Sequence, residues 1–308
     1  MEKIAVLMGG LSNEREVSLE SGRNVVEGLK SLGIYEVVPV VINEENLDAM
    51  PQDVSRVFIA LHGGWGENGG VQRALDLRKI PYTGPSAESC RVAMDKVKTK
   101  MILEFTNVPT PAWSLASPDT PASPLSLPVV VKPPADGSSL GISKVSTAQD
   151  WGSARDAAFA AQGGQGSVIV EEFIAGREFT VPVLDNEAWS PIEIVAENGW
   201  YGYEEKYRSE KTKYPFVSEN ERTAQGKNIA EVLRETALAA YKSLGCRGIT
   251  RIDIRLSPLG RPYVLELNTS PGFTSHSLVP KAGMRNGATF GEVCKKILDC
   301  AAYGISRK

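Results

Sequence analysis

Residues 249–268 read Ile249-Thr250-Arg251-Ile252-Asp253-Ile254-Arg255-Leu256, then Ser257-Pro258-Leu259-Gly260, then Arg261-Pro262-Tyr263-Val264-Leu265-Glu266-Leu267-Asn268. Side chains alternate across a strand, so Ile252, Ile254 and Leu256 take one face and Arg251, Asp253 and Arg255 the other. By the same count Glu266 and Asn268 share a face with Val264. With Leu259 and Gly260 at the centre of the turn, Pro258 faces Arg261. Counting back then sets Asp253 opposite Glu266 and Arg251 opposite Asn268. Two carboxylates directly opposite one another repel and weaken a strand pair. A divalent cation reverses that penalty, and Asp, Glu and Asn oxygens are hard ligands suited to Mg²⁺ or Mn²⁺. The alternative is a solvated polar face whose charges are relieved by Arg251 and Arg255.

Upstream of this hairpin the chain changes character twice. Over residues 1–95, short apolar runs at 4–8, 37–42 and 57–61 alternate with helical patterns at 14–32 and 70–78. That alternation predicts a doubly wound parallel sheet, whose ligands sit at the carboxyl ends of its strands. Those ends carry Gly9-Gly10 and Leu61-His62-Gly63-Gly64. Pro109, Pro111, Pro118, Pro121 and Pro124 precede Pro128, so residues 106–128 read as a connection between domains. A strand at 128–132, a Gly/Ser turn at 136–141, a helix near 148–161 and a strand at 167–172 follow. Residues 200–219, rich in Tyr, Lys and Glu without periodicity, read as a mobile loop. Helices are predicted over 221–244 and 289–302.

The 308 residues allow two or three domains, and 42% hydrophobic with 23% charged residues is a globular balance. The 34 basic and 37 acidic residues leave a formal charge of −3. No Lys/Arg run or strong positive field favours nucleic acid or an anionic membrane. Cys90, Cys246, Cys294 and Cys300 form no Cys-x-x-Cys pair, and with two histidines a zinc site is not indicated. Isolated cysteines, no signal-peptide pattern and no membrane-length apolar run imply a cytoplasmic protein.

Several local patterns have both functional and ordinary readings. Gly137-Ser138-Ser139-Leu140-Gly141 could turn backbone N–H groups toward phosphate, but most such turns bind nothing. Glu171-Glu172 could hold a base or ribose, or be a solvated strand end. Glu14-Arg15-Glu16 could bind a ligand, or complement a helix dipole. His62 suits either a catalytic or a structural role. Asn268-Thr269-Ser270-Pro271-Gly272 and Thr274-Ser275-His276-Ser277 could receive a carboxylate or an oxyanion.

Taken in order, these pieces resemble the D-alanine–D-alanine ligases of the ATP-grasp superfamily. The resemblance runs from Gly9-Gly10, Ser12 and Glu14-Arg15-Glu16-Val17-Ser18 through Leu61-His62-Gly63, Pro81-Tyr82-Thr83-Gly84, Met94-Asp95-Lys96, Val131-Lys132-Pro133 and Gly137-Ser138-Ser139. It continues through Gly176, Glu178-Phe179-Thr180 and Lys206-Tyr207 to Arg251-Ile252-Asp253, Glu266 with Asn268-Thr269-Ser270-Pro271-Gly272, and Ser275-His276-Ser277-Leu278. It implies an α/β protein: a substrate-binding doubly wound domain (1–95), then a two-domain ATP-grasp fold (96–182 and 183–308).

The resemblance also implies roles. Lys96, Lys132 and Lys206 would contact phosphates, with Gly137, Ser138 and Ser139 closing over them. Glu171, Glu172, Phe173, Ile174 and Glu178 would line ATP, with Glu171 and Glu178 at the adenosine end. Glu172 stands where some members carry lysine. Asp253, Glu266 and Asn268 would hold two Mg²⁺ ions, with Mn²⁺ as a substitute. Glu14 and His62 would meet the first D-alanine, Ser277 and Leu278 the second, and Arg251 and Gly272 the oxyanion. Tyr207 would link Glu14 and Ser138. The expected partners are ATP, D-alanine and a second subunit in a homodimer, not nucleic acid or membrane. Two other readings are a regulatory protein that binds nucleotide without turnover, and a ligase using D-lactate or D-serine as acceptor.

Overall fold

The computed structural model of the protein describes residues 1–135, 141–197 and 211–304. Gly137, Ser138, Ser139, Lys206 and Tyr207 therefore lie outside the described residues.

The first sheet is parallel and ordered β2-β1-β3: β1 (Glu2–Gly9), β2 (Tyr35–Ile42) and β3 (Arg56–Ile59), with helix α1 (Arg15–Ser31) between β1 and β2. Strand β1 is covered on both faces, which is why it reads as a continuous apolar run rather than an alternation. Ile4, Val6 and Met8 pack with Val25, Val26 and Leu29 of α1. Ala5 and Leu7 pack on the other side with Val71, Leu75 and Tyr82. Short helices α2 (Gly64–Glu67), α3 (Gly70–Leu77), α4 (Ala87–Met94) and α5 (Lys96–Phe105) follow. Asp95 caps α5 by accepting the Lys98 N–H, which turns the first residue of that helix, Lys96, into the interior.

The second sheet is antiparallel, β4-β7-β5-β6, built from β4 (Trp113–Ala116), β5 (Val129–Lys132), β6 (Ser143–Val145) and β7 (Val168–Glu172), with α6 (Trp151–Ala161) on one face. Residues 106–128 are thus not wholly a connection. Prolines flank β4 without entering it, and at the sheet edge β4 needs only β7 as a partner.

The third sheet, also antiparallel, runs β10-β8-β11-β12. It comprises β8 (Arg177–Leu184), β9 (Glu187–Ala188, paired to β8), β10 (Ile192–Ile194), β11 (Ile249–Leu256) and β12 (Pro262–Asn268). The line expected between residues 182 and 183 falls inside β8. Helix α7 (Ile229–Ser243) packs on this sheet through Leu233, Ala237, Ala240 and Tyr241. It begins eight residues later than the periodicity suggests. The Thr223 hydroxyl takes the Gln225 and Lys227 N–H groups, Gly226 sits at φ +79°, and Asn228 is the cap. Residues 213–217 likewise leave the expected loop. They lie along β10, with Val195 and Lys213 exchanging both backbone hydrogen bonds and Val217 donating to Pro191. Helices α8 (Leu278–Met284) and α9 (Phe290–Asp299) return to the first sheet, where Val293, Cys294, Ile297 and Leu298 join Ile4, Val6 and Met8 in one core.

The hairpin holds the expected pairs, Asp253 with Glu266 and Arg251 with Asn268, by two compensating departures. Its loop has three residues, not two: Ser257 donates to Arg261 O and Gly260 donates to Ser257 O. Leu256 accordingly faces Pro262, and a bulge at Leu265 restores the register at Asp253. The bulge also reverses the side of Val264, which joins Leu267 in the core while Glu266 and Asn268 face away.

Candidate active site

The polar faces of β11 and β12 gather Arg251, Asp253, Glu266 and Asn268. Asp253 is buried and accepts three groups: Thr180 Oγ1 of β8 at 2.6 Å, Arg251 Nη2 at 2.9 Å and Asn268 Nδ2 at 3.0 Å. Arg251 thus relieves the Asp253 charge, while Arg255 turns instead to Glu178 Oε2 at 3.1 Å and to Gly176 O. Glu266, opposite Asp253, lies 3.7 Å from the Lys96 ammonium. Among the described residues no three His, Cys, Asp or Glu side chains are grouped to hold a metal. The donor set here is two carboxylates and an amide, all hard oxygens, with cations already drawn to them. That chemistry fits Mg²⁺ or Mn²⁺.

Lys132, at the end of β5, places its ammonium 2.7 Å from Glu171 Oε1 on β7, and Lys100 of α5 reaches the same oxygen at 3.0 Å. Burial alone would raise the Glu171 carboxyl, but Lys100 and Lys132 outweigh it and hold it below its ordinary value. Lys100 went unnoticed in the sequence, although its spacing of four from Lys96 puts both on one side of α5. Beside this cluster Phe173 is flanked by Lys144, 3.8 Å from the ring centroid, and Arg255, at 4.9 Å. Ile174 is buried, Glu172 is exposed, and Glu178 reaches the group through Arg255.

A third group lies where the first sheet ends. Gly63 has φ +65°, and a Cβ there would sit 2.9 Å from Glu14 Oε2, so only glycine lets the Glu14 carboxylate this close to the turn. Ser12 Oγ donates to His62 O and accepts the Glu14 N–H. His62 is buried, with Nδ1 2.9 Å from Ser270 O and Nε2 3.2 Å from Ser21 Oγ. Ser270 O can only accept, so Nδ1 carries the proton, and with burial disfavouring a second one Nε2 is left to accept the Ser21 hydroxyl. That is a neutral imidazole, and burial pushes its pKa down in the same sense. Glu67, 3.9 Å from Nδ1, is pushed up to about 8 by burial first and then by Glu14. Glu67 lacked a positional signal in the sequence, whereas Thr180 stood in a motif but was given no role.

Strand β12 runs from Glu266 and Asn268 straight into residues 269–273, which His62, Ser21 and Asn24 fasten to the first sheet. Just beyond, Ser277 Oγ accepts the Thr274 N–H, and a Cβ on Gly272 would meet that oxygen at 2.8 Å. Leu278 is buried at the start of α8. Phosphate-type lysines, hard oxygen donors and a loop able to receive an anion are therefore continuous in space. The cysteines take no part: burial raises all four thiols, Cys246 and Cys300 to about 12. Among the described residues no helix is long and apolar enough to cross a membrane.

A family model described as the D-ala D-ala ligase C-terminus matches residues 101–299. The chain is 39% identical over 302 residues to the D-alanine–D-alanine ligase of Hydrogenovibrio crunogenus, covering 96% of this chain and 93% of that protein. It is 42% identical over 313 residues to the corresponding ligase of an Azoarcus species, covering 98% of each. Among solved structures it is similar to the D-alanine–D-alanine ligase of Bacillus anthracis complexed with ATP, with TM-score 0.81, 29% identity and 97% of each chain covered. It is also similar to the VanG D-Ala:D-Ser ligase of Enterococcus faecalis, with TM-score 0.79, 27% identity, and 97% and 99% covered.

Proposed function

The chain belongs to the D-alanine–D-alanine ligase family, and from that premise we propose how its residues join two D-alanines with ATP to supply peptidoglycan precursor synthesis. The observation that carries the reading is the continuity of β12. One strand bears Glu266 and Asn268 beside Asp253, and its next residues form a loop fastened beside Glu14 and His62.

In this reading Lys96 and Lys132 hold ATP phosphates, and Glu171, Glu172, Phe173, Ile174 and Glu178 line the nucleotide, with Glu171 and Glu178 at its adenosine end. The carboxylate of the first D-alanine attacks the γ-phosphate and ADP leaves, giving an acyl phosphate. The amine of the second D-alanine attacks the acyl carbon, loses a proton, and phosphate departs from the tetrahedral intermediate. Arg251 and the Gly272 N–H stabilise the oxyanion. Glu14 pairs with the first ammonium, and Ser277 and Leu278 receive the second carboxylate. Asp253, Glu266 and Asn268 would hold two Mg²⁺ or Mn²⁺ ions, which when bound neutralise phosphoryl charge. Gly137, Ser138 and Ser139 are assigned to closure over the phosphates, Lys206 to neutralising phosphoryl charge, and Tyr207 to a link between Glu14 and Ser138. An N-terminal domain over 1–95 followed by two ATP-grasp domains divided outside β8, a homodimer and a cytoplasmic location complete the proposal.

The test is ATP-dependent phosphate release with D-alanine, L-alanine, D-lactate and D-serine, with products identified by mass. D-alanyl-D-alanine as the main product is expected. No phosphate release with any of the four would leave a protein that binds nucleotide without turnover, and a dominant D-alanyl-D-lactate or D-alanyl-D-serine product would reassign the acceptor.

A further inference from the structure

We propose that Lys100 is a positioning residue for ATP, sharing Glu171 with Lys132 so that Lys132 keeps a net positive charge for the phosphates. The proposal rests on the reading of Lys132 as a phosphate contact. Lys100 is 1% exposed. Its ammonium donates to Thr110 Oγ1 at 2.7 Å and to Pro111 O at 3.3 Å, and it forms an ion pair with Glu171 Oε1 at 3.0 Å. A lysine so enclosed is shut off from a ligand. It acts on Glu171, and through Glu171 on Lys132, 2.7 Å from the same oxygen.

The charge count gives the reason for a second lysine. Glu171 and Lys132 alone sum to zero, so a triphosphate would meet a cation already neutralised at contact distance. With Lys100 added, two cations share one carboxylate and the cluster carries one net positive charge. Burying a lysine costs free energy that packing alone would not require, because an apolar side chain of similar length would fill the same space. Fixing the charge of the ATP-facing lysine is a function that cost can serve.

The cluster is also sensitive to pH. Burial first, and then Lys132, lowers Lys100 to about 8 against the opposing pull of Glu171. The charged groups facing it are Glu171 on β7, Lys132 on β5 and Glu104 one turn further along α5. When Lys100 loses its proton the net charge of the trio with Glu171 and Lys132 falls to zero.

The experiment measures kcat and KM for ATP and for D-alanine in the wild type, Lys100→Arg, Lys100→Met and Lys132→Met, from about pH 7 to about pH 9, with a melting curve for each. The wild-type KM for ATP is expected to rise about tenfold through pH 8. Lys100→Arg should abolish that rise. Lys100→Met should show the raised KM for ATP already at neutral pH, with KM for D-alanine unchanged there. A flat wild-type profile, or a rise that persists in Lys100→Arg, overturns the proposal even if Lys100→Met does not fold. A raised KM for ATP in Lys132→Met but not in a folded Lys100→Met also overturns it. An unchanged KM for ATP in Lys132→Met would instead refute the phosphate contact on which the proposal stands.

Discussion

Replacing Asp253 by Asn tests the metal assignment and the polar cluster together, because the two carboxylates of the hairpin have different neighbours. Asp253 accepts from Thr180, Arg251 and Asn268. An asparagine keeps one oxygen for Thr180, but its NH₂ must then face the Arg251 or the Asn268 donors. Losing a charge-assisted bond costs about 1.5–3 kcal/mol, and the opposed donors add to it, so we expect about 2–3 kcal/mol of destabilisation without divalent ions. That corresponds to a fall in melting temperature of roughly 5–10 °C. Glu266→Gln gives up the charge of the pair with Lys96, 3.7 Å away. Glu266→Gln should melt within about 2 °C of wild type, since removing a like charge opposite Asp253 compensates. In turnover both variants should fall about a thousandfold, the equivalent of about 4 kcal/mol of transition-state charge stabilisation. The assay pairs phosphate release at saturating ATP, Mg²⁺ and D-alanine with thermal melts in chelator. Near wild-type turnover in either variant would refute the metal assignment. A wild-type melt for Asp253→Asn would refute the Arg251 clamp.

Gly272→Ala should raise KM for the second D-alanine by about tenfold with little change in melting, because a Cβ 2.8 Å from Ser277 Oγ turns that hydroxyl off Thr274; unchanged kinetics would remove Ser277 from the pocket. Glu67, with its folded-state pKa raised to about 8 from 4.5, binds its proton more tightly folded than unfolded. Its stabilising contribution is full below about pH 4.5 and is lost as pH rises through about 8, so Glu67→Gln should flatten that decline in the melting-temperature profile; parallel profiles would show that Glu67 is ionised at neutral pH. Tyr207→Phe should increase the D-alanyl-D-lactate share ten- to a hundredfold in competition between D-alanine and D-lactate, for a hydroxyl worth about 1–3 kcal/mol in discrimination; an unchanged ratio would leave Tyr207 a packing role.

The parallel sheet and the polar face of β11 were legible because each rests on a local period, apolar runs for buried strands and alternation for a half-buried one. The pairing of Asp253 with Glu266 was also read, but through a loop one residue too short and a bulge not foreseen. A bulge at Leu265 depends on what each side chain packs against, which periodicity does not carry. Strand β4 was hidden because six prolines surround it, and only its position at a sheet edge makes them tolerable. The start of α7 was misplaced because 221–227 has helical composition while Thr223 and Asn228 offer its backbone other partners. Lys100, Glu67 and Thr180 received no role for one reason: each acts on a site residue through space, and neither the spacing of Lys100 from Lys96 nor the motif that holds Thr180 reveals that contact. Glu171 shows the converse, a motif position whose carboxylate is engaged by two lysines that its own neighbours do not reveal.

Helix α9 has a consequence for how the protein is made. Val293, Cys294, Ile297 and Leu298 belong to the same core as Ile4, Val6 and Met8, and Arg56 of β3 donates to Leu298 O. At translation rates of about 5–20 residues per second, the roughly 230 residues between β3 and α9 take on the order of 10–45 s to emerge. For that interval the nascent first sheet carries a greasy, half-covered flank. A ribosome stalled before residue 290 would leave that flank open, a sticky intermediate rather than a finished domain.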